Sequence, residues 1–173
     1  LGDIAASGIT ITSNRKELAD FSDPFLSEVK EIIVTGPSAP TLTNIDDLAG
    51  EEIYVRTSSS YFESLEELNR KFQRAGKPLM KLTVAEEYLE DEDLLDMVNA
   101  GLIGIVVMDE HKAEFWDQVY EKITIHPKLA VRNHGAIGWA FRKGSPQLAE
   151  TVNRFVAKHR KGTLMGNIIL KRY

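Results

Sequence analysis

From Glu51 to Met108 the sequence alternates between the apolar spacing of strands and that of helices, with only short punctuation between them. Glu51 to Arg56 carries Ile53, Tyr54 and Val55, a β-favouring run. After Thr57, Ser58, Ser59 and Ser60, the residues Tyr61, Phe62, Leu65, Leu68 and Phe72 recur at the spacing that lines one side of a helix. Glu66 with Arg70 and Glu67 with Lys71 are acid-before-base pairs one turn apart on the other side, and Gly76 and Pro78 end the helix. Leu79 to Val84 reads as a second strand. Asp91 to Ala100 reads as a second helix with Leu94, Leu95 and Val98 inward and Gly101 closing it. Leu102 to Met108 is a short apolar run bounded by Gly101 and Asp109, the form of a strand buried on both faces. A β-α-β-α-β order predicts a parallel sheet with right-handed crossovers and helices on both faces.

The flanking segments predict further elements. Ile9 to Thr12 and Glu31 to Thr35 read as strands on either side of a turn region at Pro24, and Gly36, Pro37 and Pro40 break regular structure. Ile137 to Phe141 reads as another strand. Ser145 and Pro146 supply an N-cap and a first-turn proline for a helix that buries Leu148, Val152, Phe155 and Val156 and ends by Gly162. A short last helix runs from Thr163 toward Arg172. The expected architecture is therefore α/β, with residues 36–133 as one complete, doubly wound parallel-sheet lobe. Residues 1–35 supply part of a second lobe and the first hinge strand, and residues 134–173 supply the return hinge strand and that lobe's C-terminal helices. The chain opens at Leu1 with residues that already read as the interior of a fold, so a fragment with something preceding it is expected.

Composition narrows the function classes. A chain of 173 residues is long enough to bury roughly 70% of its unfolded surface, so no staple is required. The absence of cysteine excludes a disulfide scaffold, a thiolate nucleophile and thiolate-based metal sites. A net charge of -5 and a pI near 5.4 argue against a broad electrostatic grip on nucleic acid. The acidic stretch from Glu86 to Asp96 reads as a solvated helix start whose acids favour the positive end of the dipole. No apolar run approaches the ~20 residues of a membrane helix, which leaves any anchor or signal to parts outside the segment.

In an open parallel sheet, ligands bind outside the carboxyl ends of the strands, where loops and helix N-termini converge. Two groups fall at that edge. The Thr57-Ser58-Ser59-Ser60 run joins strand to helix and offers hydroxyls and free N–H groups suited to a carboxylate. Asp109 follows the third strand directly and suits an ammonium, so a zwitterion satisfies both. Helix capping explains Ser59, Ser60 or Asp109 equally well. Arg15, with Thr10, forms a candidate carboxylate anchor in the other lobe, although spacing alone fits an exposed structural arginine.

Other chemistry finds little purchase. His111, His126, His134 and His159 show no compact ligand spacing, so no metal site and no cofactor are expected. Nucleophile-elbow, GxGxxG and P-loop patterns are missing, and no catalytic residue is assigned. Glu63 lies on the charged side of a regular amphipathic helix without a partnering motif, and Trp116 and Trp139 read as core.

The residues resemble the type 2 periplasmic solute-binding proteins of the polar amino acid class. Ile9 to Arg15, continuing to Asp20-Phe21-Ser22-Asp23-Pro24-Phe25, resembles that family's strand, arginine and aspartate-phenylalanine-serine signature. Gly101 to Glu110 is similar to its glycine-to-aspartate strand, and Ala136 to Ser145 to its returning hinge strand and basic turn. Arg56 to Tyr61, Leu89 to Leu95 and Gly162 to Tyr173 are similar in wording to a narrower branch, the solute-binding modules of the F-type membrane-bound lytic murein transglycosylases.

The resemblance implies that Arg15 and Thr10 hold a ligand carboxylate, that Ser58 and Ser59 add hydroxyl and N–H donors, and that Asp109 takes the amino group. It implies hinges at Val34 to Gly36 and Ala130 to Ala136, whose closure buries the ligand. It further implies a small-molecule ligand (amino acid, peptide or muropeptide), a periplasmic location, and a transglycosylase domain beginning after Tyr173. Gly104 stands where the family often has aspartate, and Arg56-Thr57-Ser58 replaces its usual Gly-Thr turn, so a ligand unlike a free amino acid fits. The family's opening strands and helix have no counterpart, so the second lobe is expected to be truncated, to bind weakly in isolation and to be prone to self-association. Two other functions compete with a regulatory sensor: the amino-acid-binding protein of an ABC transporter, and a ligand-free interaction scaffold.

Overall fold

The computed structural model describes the backbone of residues 2–172 and the side chains of residues 2–168. Leu1 and Tyr173, where the two outer segments were expected to begin and end, lie outside the described residues. The strands are β1 (Ile4–Thr10), β2 (Asp20–Phe21), β3 (Leu26–Thr35), β4 (Glu52–Val55), β5 (Lys81–Val84), β6 (Ile105–Asp109) and β7 (Thr124–Phe141). The helices are α1 (Ser13–Leu18), α2 (Ser60–Arg74), α3 (Asp91–Asn99), α4 (Glu110–Trp116), α5 (Pro146–His159) and α6 (Leu164–Arg172). The chain divides into two compact units, one of residues 1–29 and 134–173 and one of residues 30–133. β3 and β7 run through both.

In the unit of residues 30–133 the strand order is β7-β3-β6-β4-β5. β4 lies parallel to both β5 and β6, with Ile53 opposite Leu82 and Tyr54 opposite Val106. The three strands of the β-α-β-α-β segment are therefore parallel, as their alternation with helices predicts. β3 is antiparallel to β6, which makes the sheet mixed. The reason is topological: β3 arrives from the other unit rather than through a helical crossover.

Both faces of this sheet are covered. Ile33, Ile53, Val55, Ile105 and Val107 face a core with Leu65, Leu68 and Phe72 of α2. Ile32, Val34, Val106 and Met108 face the opposite core with Leu94, Leu95 and Val98 of α3 and Ala113 of α4. Alternate residues of β3 and β6 thus serve opposite cores, which explains the apolar runs Ile32–Val34 and Ile105–Met108. Gly36 follows β3 because no larger residue fits there. A Cβ at that position would lie 2.3 Å from the Val98 carbonyl oxygen.

In the other unit, β1 and β2 both pair antiparallel with β7, through Thr10 opposite Ile137 and Phe21 opposite Ala140. Phe141, Val152 and Val156 form its small core with Phe25 and Trp139. Pro146 opens α5 as expected, although the Ser145 side chain makes no cap hydrogen bond. Several features differ from the sequence expectation: β1 starts at Ile4 rather than Ile9, β2 was not expected, and Phe155, expected inside, is 45% exposed. The strand read as Ile9 to Thr12 ends at Thr10, and Thr12 instead caps α1 by accepting from the Arg15 N–H. α1 is too short and polar to show an apolar period. β7 also begins at Thr124 rather than Ile137; it passes through Pro127 and Gly135, with His134 beside the glycine at a φ of 56°.

Candidate functional site

The carboxyl ends of β4 and β6 bring a dense set of charged groups to one edge of the residue 30–133 unit. Asp109, the last residue of β6, is 2% exposed and sits at the N-cap position of α4. Its side chain makes no cap hydrogen bond. Oδ1 has no hydrogen-bond partner, and Oδ2 lies 3.9 Å from Lys112 Nζ. The Asp109 N–H donates to Tyr61 Oη at 3.2 Å. Burial pushes the Asp109 carboxyl up to about 6; Lys112 opposes this, and the carboxylates of Glu31 and Asp91 add to it.

Asp91, at the start of α3, is the counterweight. It accepts from Arg56 Nη2 and Lys112 Nζ, each at 2.7 Å, and from Tyr61 Oη at 3.4 Å. Burial raises its pKa, but the Lys112 ammonium and the Arg56 guanidinium outweigh that and hold it below the usual range. Burial, then the charges of Asp109 and Asp91, drive the Tyr61 phenol well above its ordinary value, so it stays a neutral donor.

Glu31 was not singled out from the sequence. It lies directly opposite Asp109 across β3 and β6 and is 1% exposed. Its Oε2 accepts from Ser64 Oγ of α2 and faces Arg132 Nε at 3.2 Å, while Arg132 Nε also donates to Ser64 Oγ at 2.9 Å. The one available signal was a charge opening an otherwise apolar strand; its pairing with Asp109 depends on strand register.

The Thr57–Ser60 run divides its work. Ser59 caps α2: its hydroxyl donates to the Arg56 carbonyl at 2.7 Å and accepts from the Phe62 N–H at 3.3 Å. Thr57 Oγ1 and Ser58 Oγ donate to the two oxygens of Glu87 at 2.6 and 2.5 Å, and the Ser58 N–H donates to the same carboxylate at 3.2 Å. The donors expected to receive a ligand carboxylate thus hold an internal one. The Ser58 hydroxyl, then that of Thr57, draws the Glu87 carboxyl down to about 2.

In the other unit, Thr10 is buried at the end of β1, and Arg15 Nη1 donates to its carbonyl at 2.9 Å. The structure therefore brings Thr10 and Arg15 together. His126 shares a 2.8 Å hydrogen bond with Thr35 Oγ1 and is shifted down by burial, whereas His159 stacks on Phe155. Among the described residues no three histidine or acidic side chains are grouped to hold a metal. No helix among them is long and apolar enough to cross a membrane.

This fold, a mixed sheet whose β4, β5 and β6 are parallel and whose two faces are covered by helices, is that of the type 2 periplasmic binding proteins. Residues 2–171 match the family of bacterial extracellular solute-binding proteins, family 3, and the chain belongs to it. Among curated proteins it is similar to membrane-bound lytic murein transglycosylase F of Saccharophagus degradans, 32% identical over 142 residues that make up 81% of this chain and 26% of that protein. The chain spans about a quarter to a third of the length of the curated relatives it matches. Among solved structures, an ancestral arginine-binding protein bound to arginine shares its fold with a TM-score of 0.76 at 23% identity, covering 98% of this chain and 70% of that one. The arginine-, lysine-, histidine-binding protein of Geobacillus stearothermophilus has a TM-score of 0.70 at 25% identity, covering 90% of this chain and 62% of that one.

Proposed function

We propose that the chain is the ligand-sensing, regulatory solute-binding domain of a periplasmic cell-wall protein of the transglycosylase F type. Its ligand is an amino acid, peptide or muropeptide that presents a free amino group. Asp109 takes that amino group, Ser58 and Ser59 add N–H or hydroxyl donors, and Arg15 with Thr10 receives a carboxylate. The observation that carries the reading is Asp109 itself. A carboxylate with an unpartnered oxygen, buried at the carboxyl end of a parallel strand, is costly to folding and is offset when a cation arrives. In this reading the transglycosylase activity belongs to another part of the full-length protein.

The test is a thermal-shift titration of the full-length protein against amino acids and muropeptides, with Arg15→Ala and Asp109→Ala as controls. A ligand present at a hundred times its Kd stabilises by about 2.7 kcal/mol. Stabilisation by at least one compound, lost in both variants, is the expected outcome. Stabilisation that survives in Asp109→Ala overturns the reading.

The occupied Thr57–Ser58 cradle favours a second reading, in which the site has closed on its own Glu87 and the domain serves as an interaction scaffold. Glu87→Gln separates the two. A sensor whose ligand carboxylate must displace Glu87 gains affinity in this variant, whereas a scaffold shows no ligand response in either form.

A further inference from the structure

Among the described residues, the buried side-chain atoms without a hydrogen-bond partner are Glu31 Oε1 and Asp109 Oδ1. They belong to residues that face each other directly on antiparallel β3 and β6. Side chains of such a pair leave the sheet on the same face, with Cβ atoms about 4.5–5.5 Å apart. Two carboxylates are therefore buried side by side, each with one acceptor left open.

The surroundings hold this arrangement in place rather than relieve it. Ser64 and Arg132 fix the other oxygen of Glu31. Lys112 places its ammonium 2.7 Å from Asp91 and only 3.9 Å from Asp109, so the nearest cation serves a different acid. We propose that Glu31 and Asp109 together form a two-carboxylate seat for one cationic nitrogen, an ammonium or guanidinium head group that donates one N–H to each open oxygen. Glu31 is then a ligand-binding residue in its own right, and Ser64 and Arg132 are positioning residues.

The inference rests on the reading of Asp109 given above and adds the class of group bound. A nitrogen cation matches the site because it needs only two acceptors and cancels the repulsion between the acids. A hard divalent cation asks for six or more oxygens, and the described residues offer no third acid or histidine grouped with these two. A water molecule satisfies both oxygens but neutralises neither charge.

The experiment uses methylammonium as probe, with sodium at equal ionic strength as control, and follows the carboxyl carbons of Glu31 and Asp109 by carbon-13 NMR. Saturable shifts at both carbons in the unaltered protein are expected, weakened at least tenfold in Glu31→Gln and in Asp109→Asn. Absence of a saturable shift above the sodium control, or a shift at Asp109 without one at Glu31, overturns the seat. If Asp109→Asn weakens the probe while Glu31→Gln does not, the seat fails and the reading of Asp109 stands. If neither variant matters, both fail. Glu31→Gln strands Arg132, so Glu31→Gln/Arg132→Gln removes both charges together and is expected to show the same loss; retention of tight probe binding in that folded double variant counts against the proposal.

Discussion

Asp109 carries an electrostatic burden that can be read as stability against pH. Its carboxyl is raised from 3.8 to about 6 in the folded protein, so the neutral form is the one folding favours. The stabilisation is fully present below pH 3.8 and is lost as pH rises through about 6, leaving a charged, poorly partnered group above it. Asp109→Asn removes that burden and is expected to stabilise the unliganded protein by about 1–3 kcal/mol at pH 8, with a gap that narrows toward pH 4. Thermal melts at the two pH values check this, and a gap independent of pH would count against it. Asp109 was legible from the sequence because it ends a buried strand. Glu31 was not, because its partner lies far along the chain and only register joins them.

At the scale of elements, α2 shows how local chemistry and packing combine. Its apolar stripe, its i,i+4 pairs and its Ser59 cap are all local in sequence, and the helix forms where they predict. Ser59→Ala is expected to cost about 1 kcal/mol through the lost cap, lowering the melting temperature by about 2–4 °C. Gly36→Ala probes a contact between elements instead. Its Cβ would meet the Val98 carbonyl at 2.3 Å, so β3 and α3 must separate, at a cost of about 1–3 kcal/mol. Urea unfolding of the two variants measures both losses. The elements that escaped the sequence reading, α1, the two-residue β2 and the part of β7 before Ile137, lack such local signals. α1 buries no residue, and β7 runs through a proline, which by itself argues against a strand interior.

For the whole molecule, the two units differ in how much core each commands. The residue 30–133 unit has an apolar layer on each face of its sheet, whereas the other has the small cluster around Phe141, Val152 and Val156. Amide hydrogen exchange is therefore expected to be slowest at Ile32–Val34 and Val106–Met108, where every side chain is buried, and fast along β1, most of which is exposed. Equal protection in β1 and β6 would contradict this ordering.

The sequence by itself determined the alternation of strand and helix, the parallel direction of β4, β5 and β6, and the edge at which Asp109 and the Thr57–Ser60 run emerge. Each follows from periodicity and chain connectivity, which act over a few residues at a time. Only the tertiary structure decided that Glu87 fills the cradle of Thr57 and Ser58, and that Glu31 stands beside Asp109. Those outcomes join residues from separate elements through loop placement and strand register, and no local spacing encodes either.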